Sequence, residues 1–94
     1  MAYDPPADLL ALKEQFLAIE ARIAELRQTH PAAVAIVAGE AELSDEQRVE
    51  WAAAMDESRR LAEEIHRHGW WAEVDNRHSA WMALQKAAKA TQEA

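Results

Sequence analysis

The sequence predicts an all-α protein: a small antiparallel helical bundle of three main helices plus a short apolar helix, completed by dimerisation. Three observations predict it. The 94-residue chain is half hydrophobic, with alanine prominent, and has two glycines and three prolines, so little interrupts a helix. Its apolar residues recur at spacings of three and four, the period of one helix face. Two segments carry helix-start chemistry, Asp4-Pro5 and Ser44-Asp45-Glu46-Gln47. The length fits one domain over residues 1–94, with residues 1–4 and 90–94 expected to fray.

The first helix is expected over 5–28. Asp4 suits an N-cap, and Pro5 suits the first helical position, where a missing N–H costs nothing. Leu9, Leu12, Phe16, Ile19, Ile23 and Leu26 then alternate spacings of three and four, a heptad seam. Leu10 and Leu17 widen the seam, so the helix should touch more than one neighbour. Pro31 pushes His30 out of helical geometry and ends the run. Residues 32–38 are apolar all round and read as a short buried helix, stopped at Gly39.

Ser44 and Gln47 form a capping box for a helix over 45–68, with Gly69 as its stop. Its inner stripe is Trp51, Met55, Ser58, Ala62 and Ile65, flanked by Ala54 and Leu61. Asp56–Arg60, Glu63–Arg67 and Glu64–His68 are acid-first pairs four residues apart, the better order on an exposed face. The last helix is expected over 70–91. Trp70, Val74, Trp81, Leu84 and Ala88 share one side, with Trp71, His78 and Met82 adjacent. Its start is ambiguous: Gly69-Trp70-Trp71 lacks a capping side chain, and Asp75 offers an alternative N-cap with 69–74 extended.

The formal charge is −7 and uneven. Residues 1–50 hold ten acids against four bases, and residues 51–94 seven against six. An acidic surface repels phosphate backbones, so direct nucleic-acid binding is not expected. The absence of cysteine excludes disulfides and thiolate metal sites. The first residues lack a basic then apolar leader, and no apolar run reaches membrane-spanning length; a cytoplasmic protein without membrane contact is expected.

Glu63-x-x-His66 has the spacing of a carboxylate–imidazole pair in di-metal bundles, and Asp75-x-x-His78 echoes it. Both lie away from the seam centres, and the further inward glutamates that such a site needs are missing. No metal or cofactor is therefore expected. His66 and His68 suit the negative dipole end of their helix, and His78 reads as a half-buried packing residue. With no cysteine, two serines of which one is a cap, and no phosphate-cradling glycine motif, the chain is not expected to be an enzyme.

Four tryptophans remain to be explained. Trp51 reads as core. Trp70 and Trp71 point about 100° apart on a helix, so one core takes both with difficulty, and at least one of Trp70, Trp71 and Trp81 is expected at an interface. The interface candidates are the seam residues Leu9, Leu12, Phe16, Ile19, Ile23 and Leu26, and the region of Trp70, Trp71, Trp81 and Met82. The expected function is a non-catalytic protein-interaction module, a homodimer. The alternative is a small acidic inhibitor or adaptor on a larger basic partner, mimicking nucleic acid. The core is expected to contain Leu12, Phe16, Ile19, Ile23, Trp51, Met55, Ala62, Ile65, Val74, Trp81 and Leu84.

Overall fold

The computed structural model describes residues 3–93; Met1, Ala2 and Ala94, part of the ends expected to fray, lie outside the described residues. The chain forms α1 (Ala7–Thr29), α2 (Ala33–Val37), α3 (Asp45–Arg67), α4 (Trp70–Glu73) and α5 (Arg77–Glu93), with no strand among the described residues. The all-α expectation holds.

Two adjacent prolines move the start of α1. A residue before proline is disfavoured in helical geometry, so Pro5 cannot open a helix in front of Pro6. Pro6 is the N-cap, at φ −58° and ψ 146°, and no side chain caps the helix. Asp4 is therefore not the cap. Asp8 lies in the first turn, where Oδ1 accepts from the Leu9 N–H at 2.9 Å. At the other end His30 is extended ahead of Pro31, as expected.

The short apolar helix forms but is not buried. Val34 is 79% exposed and Val37 87%. An all-apolar segment is buried only if another element passes over it, and here the chain turns back along α1 instead. Gly39 ends this helix at φ +76°, the left-handed geometry that glycine tolerates best.

The capping box of α3 is complete. The Gln47 N–H donates to Ser44 Oγ at 3.1 Å, and the Ser44 N–H to Gln47 Oε1 at 2.9 Å. α3 runs antiparallel to α1: Arg22 meets Glu50 near the connector, and Asp8 meets His68 at the far end. The buried stripe of α3 is Ala54, Leu61 and Ile65, and the expected members Trp51, Met55, Ser58 and Ala62 are half-buried. The face is rotated toward what were read as flanking residues. The surface pairs differ too. Glu63–Arg67 forms at 4.0 Å, but Arg60 pairs with Glu57 and Glu64, Arg59 takes Asp56, and His68 takes Asp8. Gly69 is right-handed (φ −65°), so α3 ends at an extended His68 without a left-handed glycine stop.

The expected continuous last helix is broken. Val74 is extended at ψ 145°, separating the four-residue α4 from α5. The Ser79 N–H donates to Asn76 Oδ1 at 3.1 Å, so Asn76 rather than Asp75 caps α5. The break lets both neighbouring tryptophans turn inward. Trp71 Nε1 donates to the Ile65 carbonyl at 2.7 Å, and Trp70 packs edge-on against Tyr3. Both are buried, which corrects the expectation that one core could not easily hold the pair.

α5 lays Ala80, Leu84 and Ala88 on the first half of α1, each fully buried. Its end lies level with Glu14, whose carbonyl accepts from Gln92 Nε2 at 3.4 Å. The core consequently has two parts. Leu9, Ile65, Trp70, Trp71, Ala80 and Leu84 form one, where three helices meet. Ile23, Leu26 and Ala54 form the other, where only α1 and α3 are present. The result is extended, 54 × 27 × 19 Å, with a radius of gyration of 16.9 Å against about 12 Å for a compact chain of this length.

Candidate functional site

The distal half of the α1–α3 hairpin is a two-helix layer, and a two-helix layer leaves one side of its apolar seam uncovered. Ile19, Trp51 and Met55 pack on Ile23, Leu26 and Ala54 but remain half-buried. Leu12 and Phe16 are half-buried farther along the same helix. Beyond Trp51 the surface continues into a cleft of about 420 Å³, walled by Ile36, Leu43, Pro31 and Trp51, with Arg27 and His30 at its edge. The Arg27 guanidinium lies 5.8 Å from the Trp51 ring centroid. Past the cleft stand the exposed side chains of α2, Val34, Ile36 and Val37, and Val49 of α3 is exposed at the same end.

Among the interface candidates read from the sequence, Leu9, Ile23, Leu26, Trp70 and Trp71 are already buried within the chain. Leu12, Phe16, Ile19 and Trp81 are half-buried, and Met82 is 53% exposed. The structure brings Leu12, Phe16, Ile19 and Ile23 onto the α1 side that meets α3 or its margin. It places Trp81 and Met82 on α5, at the other end of the hairpin. The α2 surface was missed, because an apolar run was equated with a buried one.

At that other end lies an acid–imidazole–backbone chain. Asp8 Oδ2 is 2.9 Å from His68 Nε2, and the Trp70 N–H donates to His68 Nδ1 at 3.1 Å. His68 thus bridges the Asp8 carboxylate through Nε2 and the α4 backbone through Nδ1. The bond from His68 holds the Asp8 carboxyl below its ordinary value. In the same way the Tyr3 hydroxyl donates to Asp75 and lowers the Asp75 carboxyl. Both contacts tie chain segments together and neither faces a closed cavity.

His66 stacks on Trp81 with ring centroids 5.7 Å apart and planes 3° from parallel. Trp81 in turn lies 5.7 Å from Trp71. His78 is exposed rather than half-buried, since α5 begins at the break and turns that side outward. Glu63 and His66 are exposed on α3. Among the described residues no group of three or more His, Asp or Glu side chains is arranged to hold a metal ion.

Lys13 was not anticipated. It is 2% exposed, with Nζ 4.3 Å from the Trp81 ring centroid and 4.9 Å from that of Phe16. No carboxylate lies within ion-pair distance of it among the described residues. Burial pushes its pKa down, opposed by Glu20 and assisted by Lys89. Position supplies the missing signal: Lys13 is four residues after Leu9 and three before Phe16, so it shares their face.

Geometry and surface together define a small all-α domain with a partly uncovered helical seam. The chain belongs to a family described as a domain of unknown function, DUF8825, whose model matches residues 8–87. Comparisons with curated proteins and with solved structures give no match. No helix among the described residues is long and apolar enough to cross a membrane.

Proposed function

We propose that this protein is a non-catalytic helical interaction module whose first partner is a second copy of itself. One observation carries the reading: the chain exposes more surface than its mass requires. Its accessible area is 6604 Å², against roughly 5,500 Å² for a folded monomer of 10.6 kDa. The excess of about 1,100 Å² exceeds the ~800 Å² that each partner contributes to a standard interface. Apolar side chains lie at the extended end, where α5 does not reach. A second copy with its own two-helix layer offers a matching surface, and two-fold packing would complete a four-helix arrangement there.

In this reading Ile19 of α1, Trp51 and Met55 of α3, and Val34 and Val37 of α2 supply the contact, and Leu12 and Phe16, which pack on the three-helix core, lie outside it. The buried seam residues support it from beneath. Val34 and Val37 provide the test, because they contribute little to the monomer. Val34→Asp and Val37→Asp should keep the helical circular dichroism and elute from size exclusion as monomers. A wild-type protein already monomeric, or a double variant as dimeric as wild type, contradicts the reading.

A second reading draws on the same end. Glu40, Glu42, Asp45 and Glu46 are exposed beside the apolar α2. A larger basic protein could dock on that combination, with the chain acting as an acidic adaptor or inhibitor. Loss of such binding on neutralising those four acids, with the dimer intact, would favour it.

A further inference from the structure

The chain carries ten lysines and arginines and four histidines, yet two of the arginines and three of the histidines line one cleft. This cleft, of about 530 Å³, lies where α3 ends and α5 begins, the opposite end of the hairpin from α2. His66, Arg67 and His68 come from the end of α3, and Arg77 and His78 from the start of α5. Trp71 and Trp81 form the apolar part of its wall, and no Asp or Glu lines it. In a chain of net charge −7, such a lining gathers basic side chains, although Asp8 and Glu63 stand behind it on His68 and Arg67.

The donors divide into used and free. Both ring nitrogens of His68 are engaged, one by Asp8 and one by the Trp70 N–H. Arg67 has one distant contact, to Glu63 at 4.0 Å, and its side chain is 80% exposed. Arg77 has no ion pair among the described residues, and His78 and His66 are exposed, His66 with one ring face against Trp81. Two guanidinium forks and two imidazoles therefore line one cleft, with Arg67 held only by its long contact to Glu63 and Arg77 in no ion pair among the described residues. Guanidinium forks match tetrahedral oxyanions and carboxylates, and a phosphoryl group offers three acceptor oxygens for four such side chains. The flat Trp81–His66 stack fixes two of the rings in place.

We propose that this cleft binds the phosphoryl group of a small phosphorylated molecule. The net negative charge repels a long phosphate backbone, which selects a small ligand over a nucleic acid. The site is distinct from the self-association surface and does not depend on it.

The test is calorimetric titration of the full chain with inorganic phosphate and with adenosine 5′-monophosphate at low ionic strength. Tryptophan emission is followed in parallel, because Trp71 and Trp81 line the cleft. The expected result is saturable binding with a Kd on the order of 1 mM or tighter. The double variant Arg67→Gln/Arg77→Gln should weaken it by about tenfold or more, roughly the effect of losing charge-assisted bonds. Arg59→Gln, which alters an arginine of α3 paired with Asp56 outside the cleft, should leave it unchanged. Val37→Asp should also leave it unchanged, which separates this site from the dimer surface. Absence of saturation by either probe overturns the proposal, as does equal binding by the double variant. Tighter binding of a single-stranded oligonucleotide than of either probe, lost in the double variant, overturns the choice of a small ligand.

Discussion

Replacing Lys13 by methionine should stabilise this protein, although it removes both cation–π contacts. The side chain is 2% exposed, so methionine keeps most of the buried stem in a flexible apolar chain of similar length. What is lost are contacts at 4.3 Å and 4.9 Å from Trp81 and Phe16, each worth about 0.5–2 kcal/mol. What is relieved is the desolvation of an ammonium without an ion-pair partner, several kcal/mol for a buried ion. The difference favours methionine by about 1 kcal/mol, or roughly 4–8 °C in Tm for a domain of this size. Lys13→Ala should go the other way. It removes the stem, at ~0.8 kcal/mol per buried methylene, and leaves a cavity, for a loss of about 2–4 kcal/mol. The assay is urea unfolding at one fixed protein concentration, since association adds to apparent stability. pH supplies an internal control. Lys13 titrates below its ordinary 10.5 in the folded chain, so across the window up to 10.5 the unfolded chain holds more protons. Wild-type stability should therefore gain on that of Lys13→Met as pH rises through that window. A methionine variant less stable than wild type by more than about 1 kcal/mol would refute the reasoning. It would mean that the aromatic contacts outweigh the desolvation.

Other consequences follow from burial, capping and charge. Ile23→Ala, at a residue 8% exposed, should cost about 2–4 kcal/mol, and Ile19→Ala, at the half-covered margin, distinctly less in the monomer; equal losses would place Ile19 in the core. Ser44→Ala removes the Oγ that accepts from the Gln47 N–H, while the backbone N–H of residue 44 can still donate to Gln47 Oε1, and should cost about 1 kcal/mol in thermal unfolding, whereas an unchanged Tm would show that the connector holds α3 without the serine cap. Asp8, Glu57 and Asp75 are held below their ordinary values by His68, Arg60 and Tyr3, so their stabilising contribution is present above about pH 4 and lost as pH falls through the lowered values. Urea midpoints measured from neutral to strongly acidic pH should fall less steeply for Asp8→Asn/Asp75→Asn than for wild type; parallel curves would remove these carboxylates from the account.

The helices themselves were legible because their determinants are local. The Ser44–Gln47 box, the Pro31 stop and the Gly39 turn each depend on a few neighbouring residues. The errors lie where a second local effect competes or where tertiary packing decides. Asp4 looked like a cap only while the effect of Pro6 on Pro5 was ignored. Continuity from Trp70 onward failed because Asn76 offers a cap and Val74 takes an extended conformation. Apolarity could not show that α2 lies outside the packing, since burial depends on what else reaches that place. Lys13 shares the phase of Leu9, but a seam traced through apolar residues alone passes over a charged one. The cationic cleft joins residues from two helices across the break at Val74, and so it emerges only once that break is known.

The most direct test is sedimentation equilibrium of the full chain at micromolar concentration. The account predicts a particle of twice 10.6 kDa that persists in high salt, because apolar burial rather than charge holds it. The same measurement on Val34→Asp/Val37→Asp should give 10.6 kDa with helical content unchanged. A wild-type particle of 10.6 kDa across that concentration range would contradict the proposed self-association and leave the excess surface for a different partner.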